Sequence, residues 1–121
     1  MQYLLLLYSN ENGWDSMTPA QQQQGMAAYQ AYTEALRKSG ALQGSNRLQP
    51  VSTATTVRIA DGKSQVLDGP YADSKEQLGG YYLIEAKDLD EAISIASRVP
   101  SARRGTVEVR PQMEMGAPAA A

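Results

Sequence analysis

Neither cysteine nor histidine occurs among the 121 residues. Without cysteine the chain has no disulfide, no thiolate metal site and no cysteine nucleophile, and thiol usage leaves the redox compartment open. The missing histidine excludes more, because imidazole is the side chain whose ordinary pKa suits proton transfer near neutrality. Ser-His-Asp catalysis is ruled out, and so are zinc sites built on imidazole or thiolate. Only oxygen-ligand sites for hard cations such as magnesium or calcium are left. The sequence singles out no residue set as a metal site, and no cofactor is expected.

An excess of positive charge is also lacking: 11 Lys and Arg stand against 13 Asp and Glu, a formal net charge of −2. Neither nucleic acid nor anionic lipid is therefore expected as a partner. Long hydrophobic runs are few. The N-terminal run, Tyr3 to Tyr8, has no basic segment before it and is too short for a signal-peptide core or a membrane span. A cytoplasmic protein is the expectation.

What is present fits one domain with a real core, placed at residues 1–112, followed by a loose tail at 113–121 that carries Gly116, Pro118 and three terminal alanines. The run from Tyr3 to Tyr8 is apolar at every position, as expected of a central strand buried on both faces. A polar connection, Ser9 to Ser16, carries Trp14, which either covers the core edge or rims a pocket; covering is favoured. Thr18-Pro19-Ala20-Gln21 is a helix start with a cap, a first-position proline and a reciprocating glutamine. That helix runs to about Ser39, where Arg37, Lys38 and Gly40 suit its C-terminal end. Met26, Tyr29, Tyr32 and Leu36 are predicted to form its packed face.

Ala41 to Gln49 is weakly patterned and is predicted as a strand interrupted around Gly44-Ser45-Asn46. Asp61-Gly62 separates two strand-like segments, 53–60 and 63–68, and is the dipeptide that favours a tight hairpin turn. A strand follows over Gly80 to Ala86, with Tyr82 and Ile84 on one face and Tyr81, Leu83 and Glu85 on the other. Asp88 caps a second helix whose buried stripe is predicted as Leu89, Ala92, Ile93, Ala96 and Val99. Pro100 ends it, and 105–111 is a last strand with Val107 and Val109 alternating with polar residues. The order of elements fits an α+β, ferredoxin-like sandwich with an added β-hairpin. Two helices can cover only one sheet face, yet Tyr3 to Tyr8 is apolar on both. A homodimer packed sheet to sheet resolves that conflict.

A functional site is expected between the hairpin and the next strand, where Asp68-Gly69-Pro70-Tyr71-Ala72-Asp73-Ser74-Lys75-Glu76-Gln77-Leu78-Gly79-Gly80 combines polar side chains with Gly and Pro. This segment, continued by Tyr81-Tyr82-Leu83-Ile84, Asp88-Leu89-Asp90-Glu91-Ala92 and Val107-Glu108-Val109-Arg110-Pro111, resembles YCII-related proteins. The resemblance covers most of residues 1–112 and is greatest to the DGPF branch, named for the segment that stands here as Asp68-Gly69-Pro70-Tyr71. It implies a dimeric α/β barrel. Related proteins are proposed to be enzymes because a histidine and an aspartate meet in a pocket at the dimer cleft; Asp68 lies in the motif that would supply the acid, but the histidine has no counterpart here. Tyr71 replaces the phenylalanine of the motif. Members of the branch are often encoded beside extracytoplasmic-function sigma factors, which implies, by analogy, an accessory regulatory role.

Two functional readings follow. In the first, a homodimeric module binds a small molecule, with Asp68, Tyr71 and Arg110 orienting it and Met26, Tyr29 and Tyr82 as apolar wall. In the second, Asp68 is a general acid or base on a small metabolite, its pKa raised by burial. The bland alternative for Asp68 is a side-chain bond to the amides of the following turn. For the tyrosines it is a place in the core, and for Lys75 and Glu76 a solvated surface. The binding module ranks first, the enzyme second and an inert structural partner third.

Overall fold

The structure is a computed structural model that describes residues 1–114; the expected tail lies, from residue 115 onward, outside the described residues. Six strands and three helices follow in the order β1 (Gln2–Ser9), α1 (Glu11–Asp15), α2 (Pro19–Ser39), β2 (Leu42–Arg47), β3 (Thr55–Ala60), β4 (Lys63–Asp68), β5 (Gln77–Glu85), α3 (Leu89–Ser97) and β6 (Thr106–Pro111). The architecture is mixed α+β. The strands form a four-stranded antiparallel sheet of order β2-β5-β1-β6 and a separate two-stranded hairpin, β3-β4. None of the described helices is long and apolar enough to cross a membrane.

Local sequence chemistry accounts for most of the element ends. Thr18 accepts from the Gln21 amide while the Gln21 side chain accepts from the Thr18 amide, so two free donors at the start of α2 are satisfied together. Gly40 closes the same helix in the left-handed region at φ 79°. Asp88 Oδ1 accepts from the Glu91 amide at 2.9 Å, capping α3. Asp61 and Gly62 turn the hairpin with positive φ at both positions, 51° and 72°.

The core lies between the sheet and the two long helices. Tyr3, Leu5 and Leu7 of β1 point into it with Tyr82 and Ile84 of β5, Leu36 of α2, and Ala92, Ile95 and Ala96 of α3. Register places Leu5 opposite both Tyr82 and Val109, so β1 is the strand against which each neighbour aligns its inward side chains. The opposite face carries Leu4, Leu6 and Tyr8 beside Tyr81 and Leu83; Leu4 pairs with Leu83 and Leu6 with Tyr81. No described helix covers that face.

Under α2 the polar groups of the core are paired. Tyr82 Oη and Thr33 Oγ1 lie 2.8 Å apart, Tyr32 donates to the Ile95 carbonyl at 2.8 Å, and Tyr29 donates to Ser101 Oγ. The rings of Tyr32 and Tyr82 meet edge to face, centroids 5.2 Å apart. Burial pushes the Tyr32 phenol well above its ordinary 10.0, and nearby Tyr82 adds to the effect. Burial also raises Tyr82, against the bond to Thr33, which lowers it.

Several expectations are corrected. The 9–16 connection contains α1, started by Asn10, whose side chain accepts from the Asn12 amide. The packed stripe of α2 passes through Gln22, Gly25, Tyr29, Tyr32, Thr33 and Leu36, so Met26 is on the outer side, 48% exposed. The stripe shifts because Trp14 seats on the helix at Gly25, where an added Cβ would lie 3.1 Å from its ring. Strand β2 runs unbroken through Ser45 and Asn46, its irregularity falling between Leu42 and Gly44. In α3 it is Ile95 that turns inward, while Leu89 and Ile93 are exposed. Gly79 and Gly80 lie inside β5 with ordinary φ, and Gly80 is required by close approach: a Cβ there would sit 2.9 Å from the Asn46 carbonyl oxygen.

Two measurements check this packing. Gly80→Ala loses about 1–3 kcal/mol in urea unfolding, because backbone of β2 must move. Gly79→Ala is the control and stays close to wild type, since its Cβ would meet only the Leu7 carbonyl at 4.0 Å. The raised phenols bind their protons more tightly folded than unfolded, so their contribution is complete below pH 10.0 and is lost as pH rises through the folded values. The urea midpoint therefore falls above pH 10.0, and falls less steeply in Tyr32→Phe.

Candidate functional site

An open depression of about 880 Å³ lies at one end of the helix-free face, lined by Tyr8, Asn10, Ser74, Lys75, Glu76, Thr106 and Glu108. Its floor follows from strand parity. Tyr8 shares a face with Leu4 and Leu6, and β6 brings Thr106 opposite Tyr8 and Glu108 opposite Leu6. Its wall is the last part of the loop between β4 and β5. Thr106 Oγ1 donates to Glu76 Oε1 at 2.7 Å, tying that loop to β6, and Ser74 Oγ donates to the Glu76 carbonyl at 2.5 Å.

Gln77 holds the loop from behind. Its amide group donates to the Ser74 carbonyl at 2.7 Å and accepts from the Glu11 amide at 3.0 Å, while Glu11 Oε2 accepts from the Val51 amide at 3.0 Å. Two side chains thus make the corner: Gln77 links the loop to α1, and Glu11 links α1 to the connection between β2 and β3. Trp14 completes this corner: its ring lies beneath the Arg47 guanidinium, 5.0 Å from ring centroid to carbon, and its carbonyl accepts from Gln22 at 2.9 Å. Its contacts are with Gly25 of α2 and Arg47 of β2.

Chemically the depression combines one aromatic ring, hydroxyl and amide groups, one cation and two carboxylates. Lys75 and Glu76 both line it, although they are neighbours in sequence. Such a set can orient a small polar or ring-shaped molecule through hydrogen bonds and charge. Among the described residues no group of three or more acidic side chains converges as a metal site.

The six residues singled out from sequence do not converge within the chain. Asp68 ends β4 and is exposed, with its carboxylate in no hydrogen bond among the described residues. The turn after it is closed by other groups: the Gly69 amide, at φ 101°, donates to the Ala54 carbonyl at 2.8 Å, and Thr56 Oγ1 donates to the Gly69 carbonyl at 2.8 Å. Tyr71 is 80% exposed. Tyr29 and Tyr82 belong to the opposite, helix-covered side, Tyr29 lining a shallow groove of about 350 Å³ along α2 with Gln30, Thr33, Glu34 and Arg37. Met26 is on the solvent side of α2. Arg110 alone reaches the depression, through Glu108, at 4.0 Å in an exposed ion pair. Tyr8, Asn10, Thr106 and Glu108 were not anticipated; the alternation of Tyr8 with Leu4 and Leu6 was the available signal.

The mixed α+β fold thus leaves one sheet face open, with the depression at its end. The chain belongs to the YCII-related family, whose domain model matches residues 1–116. It is 35% identical over 113 residues, 92% of this chain and 91% of the other, to an uncharacterised protein of Rhizobium meliloti (strain 1021). Its fold is similar to that of 5-chloro-2-hydroxyhydroquinone dehydrochlorinase from Burkholderia phenoliruptrix AC1100, solved with 2,5-dihydroxybenzoquinone. The TM-score is 0.58 at 17% identity, covering 93% of this chain and 94% of that one.

The tie behind the loop is testable. Gln77→Ala removes the partners of the Glu11 amide and Ser74 carbonyl and costs about 1–2 kcal/mol in urea unfolding. Amide exchange should quicken at 74–77 and in α1 while the core strands keep their protection.

Proposed function

We propose that the protein is a homodimeric small-molecule-binding module whose ligand sits in the cleft formed by Tyr8, Asn10, Ser74 to Glu76, Thr106 and Glu108. The observation that carries this reading is the cleft's position: it opens on the sheet face that β1 makes apolar and the helices leave bare. The strand order β2-β5-β1-β6, with both long helices on one side, supports a ferredoxin-like sandwich, and its bare face supports pairing into a dimeric α/β barrel. Asp68-Gly69-Pro70-Tyr71 supports the DGPF branch, and with it the analogy to accessory regulation beside sigma factors in the cytoplasm. Asp68 and Tyr71 stand at the outer end of the loop that walls the cleft.

The ligand class favoured is a small oxygenated ring. Tyr8 offers an aromatic surface, Lys75 a cation for an enolate or carboxylate, and Glu76 and Glu108 acceptors for hydroxyl groups. The structural neighbour's dihydroxybenzoquinone belongs to that class. An enzymatic reading, with Asp68 as general acid or base, is second: the neighbour is an enzyme, but Asp68 lacks in one protomer the buried setting that this chemistry uses.

NMR titration with 2,5-dihydroxybenzoquinone and a panel of hydroxylated benzoic acids tests the reading. Binding should shift the amides of Tyr8, Ser74 to Glu76, Thr106 and Glu108, and Lys75→Ala should weaken it about tenfold, the loss of one charge-assisted bond. Shifts confined to the groove at Tyr29, Thr33 and Arg37 would contradict it. Turnover of a bound compound, abolished in a folded Asp68→Asn variant, would move the enzyme reading to first place.

A further inference from the structure

The hairpin β3-β4 is the feature that the binding reading does not use. Cross-strand register puts Val57 directly opposite Val66 and Ile59 two residues along the same face. These three side chains form one apolar patch, exposed at 59%, 64% and 70% for Val57, Val66 and Ile59. Every residue of β4 is exposed, and no other described strand or helix packs closely on either strand. A two-stranded hairpin standing alone is marginal in water, yet this one has a tight positive-φ turn and a hydrogen-bonded base at Gly69, Ala54 and Thr56. Its geometry is built for a surface that its own chain does not provide.

We propose that this hairpin is an arm that packs its Val57-Ile59-Val66 face on a second copy of the chain, beside the opposed sheets, and supplies the missing wall of that copy's cleft. The proposal rests on the homodimeric reading above. Area selects a second copy. The bare face of a four-stranded sheet, about 19 Å wide and 20 Å long, covers about 400 Å², half of the roughly 800 Å² per partner typical of a stable interface. One face of the hairpin adds about 200 Å² beyond the sheet, and two-fold exchange narrows the gap with no third component.

Placement agrees. Hairpin and cleft leave the sheet at the same end, since the chain departs from the last residue of β2 and returns at the first of β5, beside Tyr8. The cleft on one chain is too open to bury most of a ligand, as binding pockets do. An apolar roof from the partner's valines and isoleucine corrects this.

Sedimentation equilibrium and cross-linking together test the arm. The wild type should be a dimer at micromolar concentration, the double variant Val57→Lys/Val66→Lys should raise the dissociation constant by about 100-fold, and Ile93→Lys on the exposed side of α3 should leave it unchanged. Because the chain has no cysteine, Ser64→Cys and Thr106→Cys chains can be mixed and joined by a short bismaleimide; a covalent mixed dimer places one hairpin at the other's cleft, and this arm holds even if the lysine variant misfolds. A wild-type dimer with an unchanged constant in the lysine variant and no 64–106 cross-link overturns the arm and leaves the sheet-to-sheet dimer standing. A monomeric wild type overturns both, and assigns the hairpin to a different protein.

Discussion

Strand β1 is apolar on two sides, and the chain has helices for only one. Tyr3, Leu5 and Leu7 are buried beneath α2 and α3, whereas Leu4, Leu6 and Tyr8 share the bare face with Tyr81 and Leu83. Because β1 lies between β5 and β6, this two-sidedness reaches the whole sheet through register. Hydrophobic burial fixes the inner face as a core. The same arithmetic applied to the outer face calls for a cover, and the cleft sits where that face ends.

The covered side is organised for rigidity. Tyr29, Tyr32 and Tyr82 spend their hydroxyls on Ser101, the Ile95 carbonyl and Thr33, and burial keeps the Tyr32 and Tyr82 phenols protonated. Satisfied buried hydroxyls fix orientation without offering reactive groups. The bare side is organised for contact. Its loop is held from behind by Gln77 and from the front by the Thr106–Glu76 bond, so Lys75 is presented on a supported backbone. Without cysteine or histidine, the depression is lined by tyrosine, lysine, carboxylate, hydroxyl and amide groups.

The parts of the fold written in local chemistry were legible in the sequence. The capping box at Thr18 and Gln21, the Asp61-Gly62 turn, the Asp88 cap and the alternation in β5 each depend on residues within a few positions of one another. Errors arose where a distant residue decided the outcome. Trp14 displaced the α2 stripe from Met26 to Gly25, and the approach of β2 explains why the strand position of Gly80 has to be glycine. The site was legible only in part. The sequence pointed to the 68–80 loop and set Met26, Tyr29 and Tyr82 as the wall; the depression is lined instead by the loop's Ser74 to Glu76 end, and Thr106 and Glu108 arrive by a pairing of β1 with β6 that no short-range pattern encodes.

The most direct measurement is amide hydrogen exchange read by mass spectrometry at low and high protein concentration. Covering of the bare face by a second copy predicts that peptides spanning 55–68 and 106–111 slow as concentration rises, while those of α2 do not change. Exchange of the hairpin and β6 that is fast and independent of concentration would contradict it, and would leave the apolar outer side of β1 without a partner of its own kind.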